Sequence, residues 1–140
     1  MQNNQSSQLL VGIDVGSTTA KIAVMDAASH EMLMRRYVRH HAQQANCLKS
    51  LLAELDQRFE GIPMRAALCG SGGAALAEAL DLPYVQEVVA NSLAVGANYP
   101  TARTAIELGG QDAKMIFFKF DNEANCLSVA DMRMNGSCAG

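Results

Sequence analysis

A ten-residue pattern occurs twice in this chain, and the repetition constrains its architecture more than any other feature. Ile13-Asp14-Val15-Gly16-Ser17-Thr18-Thr19-Ala20-Lys21-Ile22 aligns without gaps on Ile106-Glu107-Leu108-Gly109-Gly110-Gln111-Asp112-Ala113-Lys114-Met115, at a constant offset of 93 residues from Asp14 to Glu107. Each copy reads apolar, acidic, apolar, Gly, three variable positions, Ala, Lys, apolar. Each continues into a short run rich in β-branched or aromatic residues, which reads as strand. A strand, a glycine turn and a second strand, occurring twice, point to a duplicated lobe.

The remaining periodicities fill in the elements between the copies. Residues 9–16, 20–26 and 31–38 read as three short strands forming an antiparallel meander. Residues 43–59 place Leu48, Leu51, Leu52, Leu55 and Phe59 at spacings of three and four, an amphipathic helix that Gly61 and Pro63 end. A strand over 64–70, a short helix over 74–80 and a second helix over 86–99 follow, the last closed by Pro100. Residues 104–110, 113–120 and 126–134 are again strands. The order is βββαβαα followed by βββ, an α/β chain. The expected organisation is a disordered polar start at 1–8, a first lobe over 9–102 and the beginning of a second over 103–140.

Charge and composition exclude several classes. The net charge is -3 with no basic block, which argues against nucleic acid or an anionic membrane as partner. No apolar run approaches the roughly 18 residues that span a bilayer. Residues 1–8 have no apolar core of the kind a secretory signal needs, so a cytoplasmic protein is expected. Cys47, Cys69, Cys126 and Cys138 form no C-x-x-C pair. In a reducing compartment they are thiols or metal ligands rather than disulfides. His40 and His41 read as part of a solvated loop before the first helix.

The chemistry lies in the repeated turns. After Gly16 the chain enters a strand, not a helix, and it lacks the G-K-[ST] ending, so DVGSTTAK is neither a P-loop nor a Rossmann turn. A hairpin can hold phosphate by another route. Gly16 admits close backbone approach, and successive N–H groups with the Ser17, Thr18 and Thr19 hydroxyls donate to oxygens. Asp14 at the strand end suits Mg²⁺ held through water. Lys21 either reaches a phosphate or faces solvent. ELGGQDAK repeats the device: Gly109, Gly110 and Lys114 as the phosphate side, Glu107 and Asp112 as candidate metal-side carboxylates, and Gln111 to orient an attacking water. Two such hairpins facing across a cleft would clamp a polyphosphate, and positioning with charge neutralisation is most of what phosphoryl transfer requires. CGSGG at 69–73 reads as a tight, closely packed strand-to-helix connection. NGSCAG at 135–140 places Cys138 after a turn; by itself this is a small buried cysteine, with an iron–sulfur ligand as the alternative.

IDVGSTTAK, IELGGQDAK and NGSCAG together resemble the ATP-dependent activators of 2-hydroxyacyl-CoA dehydratases and the related ATPase subunits of benzoyl-CoA reductase. The resemblance covers Leu9 to Gly140. It implies a ribonuclease H-like fold of the actin/Hsp70/sugar-kinase type, with ATP and Mg²⁺ in the cleft. It further implies a homodimer with one [4Fe–4S] cluster on its two-fold axis, fed by a donor such as ferredoxin or flavodoxin and delivering low-potential electrons to a dehydratase in an anaerobe. Asp14, Gly16, Ser17, Thr18, Lys21, Gly109, Gly110, Gln111 and Asp112 match the family's phosphate and metal positions, with Gln111 and Asp112 as the catalytic pair. Cys138 matches the first cluster cysteine. Asn91 stands where the family commonly has His. The second cluster cysteine and the adenosine-binding residues lie beyond this chain in the family pattern. The chain is therefore expected to be the N-terminal piece of a longer protein, inactive as an ATPase by itself. A small-molecule kinase of the same fold and a non-hydrolysing nucleotide sensor are the alternatives.

Overall fold

The computed structural model describes residues 8–110, 112–123 and 126–135. Residues 1–7 of the polar start and NGSCAG, apart from Asn135, fall outside them, as does Gln111. The described chain forms two compact units that divide between Tyr84 and Val85.

In the first unit, strands β1 (Leu9–Val15), β2 (Thr19–Asp26) and β3 (Met32–Arg39) form the expected antiparallel meander. Helix α1 (Gln44–Arg58) then carries the chain to β4 (Met64–Cys69), which lies parallel to β1, so the sheet order is β3-β2-β1-β4. Parallel neighbours need such a crossover. Short helix α2 (Gly73–Ala79) follows β4.

The strand period of two is visible in β1. Leu9, Val11, Ile13 and Val15 point to one face and are at most 5% exposed, while Gly12 between them is open to solvent. Ala20, Ile22 and Val24 of β2 join them, and Leu48, Leu51 and Leu55 of α1 pack with them in one core. Each fully buried aliphatic side chain contributes about 1.5–3 kcal/mol.

The second unit contains α3 (Glu87–Asn98) and an antiparallel sheet of β5 (Thr104–Leu108), β6 (Ala113–Asp121) and β7 (Cys126–Asn135), in the order β5-β6-β7. Ile116, Phe118 and Leu127 are its buried centre, with Val88 and Val95 of α3 packed on them. By compactness α3 groups with the second sheet, in the unit that runs from Val85. The strands and helices agree with the sequence expectation to within two residues at their ends.

Candidate functional site

The repeated residues fold into two hairpins with the same register. Asp14 pairs with Lys21 and Val15 with Ala20 across β1–β2. At the same offset, Glu107 pairs with Lys114 and Leu108 with Ala113 across β5–β6. Each turn closes on one equivalent bond: the Gly16 N–H donates to the Thr19 carbonyl at 2.9 Å, and the Gly109 N–H to the Asp112 carbonyl at 2.8 Å. Sequence repetition is therefore repetition of geometry, down to the hydrogen bond that shapes the turn.

In the first hairpin, Lys21 Nζ donates to Asp14 Oδ2 at 2.5 Å and sits 5.6 Å from the Tyr37 ring centre. The lysine is thus turned onto the carboxylate, between the two roles that sequence left open. Asp14 Oδ1 is buried and has no hydrogen-bond partner among the described residues. A buried carboxylate oxygen without a donor is costly, which makes it a strong candidate to take an external cation or its water. Ser17 and Thr18 are half-buried in the turn, and Thr19 is buried at the start of β2. Among the described residues, no hydrogen bond uses the N–H of Ser17 or Thr18. Two free successive amides beside two hydroxyls form the kind of concavity that holds an anion.

CGSGG lies directly behind this carboxylate. Gly70 has φ +90, and a Cβ there would overlap Asp14 Oδ1 and the Val15 carbonyl. The Gly72 N–H donates to the Val15 carbonyl at 2.8 Å, and Tyr84 Oη donates to the Gly70 carbonyl at 3.1 Å. The segment is the tight connection that its composition implied. What it packs on is the candidate phosphate hairpin.

The second hairpin carries more charge. Lys114 Nζ is 2.7 Å from Glu87 of α3, 3.4 Å from Glu107 and 3.5 Å from Asp112. Burial by itself would lower the Lys114 pKa. The Glu87 hydrogen bond and the charges of Glu107, Glu87 and Asp112 outweigh it and hold the ammonium above the ordinary lysine range. Burial and then the neighbouring Glu87 carboxyl push Glu107 above the usual glutamate value, against the pull of Lys114. Glu107 Oε2 is, like Asp14 Oδ1, a buried oxygen with no partner among the described residues. In this arrangement Lys114 neutralises carboxylates and offers no free cation. Gly109 and Gly110 are exposed at the turn, and a Cβ on Gly109 would come within 2.6 Å of Asp112 Oδ1.

Two participants escaped the sequence reading. Glu87 is the nearest partner of Lys114, twenty-seven positions away. His40, expected in a solvated loop, is instead 3% exposed, with its ring on the Gly16 carbonyl; His41 beside it is exposed. The register of β2 and β3 forces this, because it sets Thr19 opposite Arg39 and so brings His40 against the turn.

Among the described residues, no cluster of three His, Cys, Asp or Glu is arranged to hold a metal ion. Cys138 and Gln111 lie outside the described residues. No helix of the described chain is long and apolar enough to cross a membrane.

The BadF/BadG/BcrA/BcrD ATPase family matches residues 11–140. No curated protein matches the chain by sequence. Among solved structures, the (R)-2-hydroxyglutaryl-CoA dehydratase component A of Acidaminococcus fermentans is similar, with a TM-score of 0.74 and 23% identity over 95% of this chain and 49% of that one. The activator of 2-hydroxyisocaproyl-CoA dehydratase from Clostridium difficile, solved with bound ADPNP, gives a TM-score of 0.65 and 22% identity over 95% and 47%. The ethanolamine utilization protein EutJ of Carboxydothermus hydrogenoformans gives 0.65 and 16% over 94% and 53%. These likenesses place the chain in the actin/Hsp70/sugar-kinase fold group. The chain spans about half the length of each.

Proposed function

The chain belongs to the BadF/BadG/BcrA/BcrD ATPase family, and from that premise we propose that it binds the phosphates of ATP in an activator that drives low-potential electrons to a 2-hydroxyacyl-CoA dehydratase or a benzoyl-CoA reductase-like enzyme. The observation that carries the phosphate reading is the pair of orphaned oxygens. At equivalent positions of two hairpins of one design, Asp14 and Glu107 each keep a buried oxygen without a hydrogen-bond partner of standard geometry among the described residues, beside an oxygen held by lysine; that of Glu107 also faces the Glu87 carboxyl. A duplicated turn has no structural need to leave such an oxygen twice.

The residues fit a magnesium nucleotide. Asp14 supplies oxygen chemistry, which Mg²⁺ prefers, and can act through the waters that ion retains. When bound, Mg²⁺ neutralises phosphate charge and holds the phosphates for in-line attack. The Ser17 and Thr18 amides and the hydroxyls of Ser17, Thr18 and Thr19 would donate to phosphate oxygens. Lys21 holds the Asp14 carboxylate in place through Oδ2. In the second hairpin Gly109 and Gly110 would let backbone approach a phosphate, and Asp112 with Gln111 would direct the attacking water. Lys114 balances Glu87, Glu107 and Asp112 so that this acidic group tolerates a polyanion nearby. Support also comes from the dehydratase component and the ADPNP-bound activator among similar structures.

The electron-transfer half rests on Cys138 as a ligand of a [4Fe–4S] cluster shared by a homodimer, supplied by a ferredoxin- or flavodoxin-type donor. The test has two arms on anaerobically prepared intact protein. Titration with Mg·AMPPNP should show binding, and iron and sulfide analysis with absorption spectroscopy should show a cluster. Binding without any cluster after reconstitution would remove the electron-transfer reading. Phosphate appearing on an added metabolite would move the function to a small-molecule kinase.

A further inference from the structure

His40 is 3% exposed in a unit whose other buried groups are almost all apolar. Its ring is fully committed. The Ala42 N–H donates to Nδ1 at 3.2 Å, which makes Nδ1 the acceptor, so Nε2 carries the hydrogen and donates to the Gly16 carbonyl at 3.0 Å. Its own backbone N–H donates to the Thr18 carbonyl at 3.2 Å. One residue thus holds the phosphate hairpin at both ends of its turn.

The segment that presents this ring is strained. His41 and Ala42 take φ of 49 and 62, two successive left-handed residues without a glycine. The Gln43 N–H closes the turn on the His40 carbonyl at 2.8 Å. Left-handed alanine is unfavourable, and such strain persists where the surroundings over-determine it, often beside a functional site. Here the strain places the Ala42 N–H on Nδ1 and so selects the tautomer that donates to Gly16.

We propose that His40 is a positioning residue for nucleotide phosphate: it fixes the Gly16 carbonyl, and with it the Ser17 N–H of the same peptide, and tethers the turn again at the Thr18 carbonyl, so that the Ser17 amide stays turned to the ligand beside that of Thr18. This rests on the hairpin being a phosphate element. A hydrogen bond from the Gly16 carbonyl to His40 holds that carbonyl away from the anion. Without the bond the peptide can rotate, and the amide array loses its common direction.

The test compares His40→Ala and His40→Gln in the intact protein, with Mg·AMPPNP and with adenosine as probes. The Gln amide can restore the Nε2 donor; Ala cannot. Loss of a buried donor of this kind should weaken Mg·AMPPNP about tenfold in His40→Ala, with His40→Gln within about threefold of the parent. Adenosine, which carries no phosphate, should bind all three equally. Equal binding of Mg·AMPPNP by all three overturns the proposal, as does equal impairment of Ala and Gln, or parallel loss of adenosine. If His40→Ala does not fold, His40→Asn takes its place: its short amide accepts from Ala42 but falls short of Gly16, and it should bind Mg·AMPPNP more weakly than Gln. Failure of the parent protein to bind Mg·AMPPNP removes the phosphate reading itself, which no variant result can mimic.

Discussion

Alanine at three glycines of the first unit should separate backbone strain from crowding behind the phosphate hairpin. Gly12 lies in β1 with nothing within 4 Å of a built Cβ and without a left-handed φ. Glycine weakens a strand interior, so Gly12→Ala should stabilise by about 0.5 kcal/mol. Gly61 has φ +74 and open space around it. Alanine there incurs only the left-handed penalty, about 1–2 kcal/mol. Gly70 has φ +90 and adds crowding, because its Cβ would meet Asp14 Oδ1, the Val15 carbonyl oxygen and, at 2.6 Å, the Val15 carbonyl carbon. The Val15 atoms are backbone of an interior strand and cannot withdraw, whereas the Asp14 carboxylate, a side-chain tip, must turn aside. Overpacking of this sort costs a further 1–3 kcal/mol or so, for a total of about 2–5 kcal/mol. Urea denaturation followed by far-ultraviolet circular dichroism reads all three. The displaced group is Asp14, so Gly70→Ala should also weaken Mg·AMPPNP binding, and Gly61→Ala should not. If Gly70→Ala is no more destabilising than Gly61→Ala, the close approach of CGSGG to Asp14 is wrong, and with it the idea that this loop backs the carboxylate.

Asp14→Asn should lower Mg·AMPPNP affinity at least tenfold in calorimetric titration. It should change stability by no more than about 1 kcal/mol, because the Asp14–Lys21 pair is partly exposed and such pairs contribute little. Glu107→Gln tests the raised Glu107 pKa. A raised folded pKa favours the protonated form, so the native stability contributed by Glu107 is full below its ordinary value near 4.5 and is lost as pH rises through the higher folded value. The neutral isostere should therefore raise the melting temperature at pH 7 and lose that advantage toward pH 4; a gain that grows in acid would refute the assignment. Cys138→Ala should abolish the iron and sulfide of the reconstituted intact protein while leaving Mg·AMPPNP binding unchanged, and loss of both would mark Cys138 as structural.

The hairpins were legible because both of their determinants are local. Alternating Leu9, Val11, Ile13 and Val15 give the strand, and Gly16 or Gly109 gives the turn. The ladder partners Asp14–Lys21 and Glu107–Lys114 follow from a seven-residue spacing once the turn is placed. Helix α1 was legible from its leucine spacing. His40 was not, because its partner Gly16 is 24 residues away and is brought near only by the β2–β3 register. Glu87 was hidden for the same reason, being set against Lys114 by the packing of α3 on the second sheet. That packing also sets α3 in the second compact unit: the apolar residues of α3 show that it has an inner face, and nothing local says which sheet receives it. CGSGG displayed its tightness in its glycines and gave no sign that its neighbour would be Asp14.

The bond that each turn's glycine N–H donates to the carbonyl of the fourth residue uses main-chain atoms alone, Gly16 to Thr19 and Gly109 to Asp112. The side chains between those ends are released from any duty to shape the loop. One copy has placed two hydroxyls there, Ser17 and Thr18, and the other a glycine and an amide, Gly110 and Gln111. A gene duplication on such a scaffold can specialise its daughters, one as a donor of protons to oxygen and the other as an acceptor from water, without renegotiating the fold.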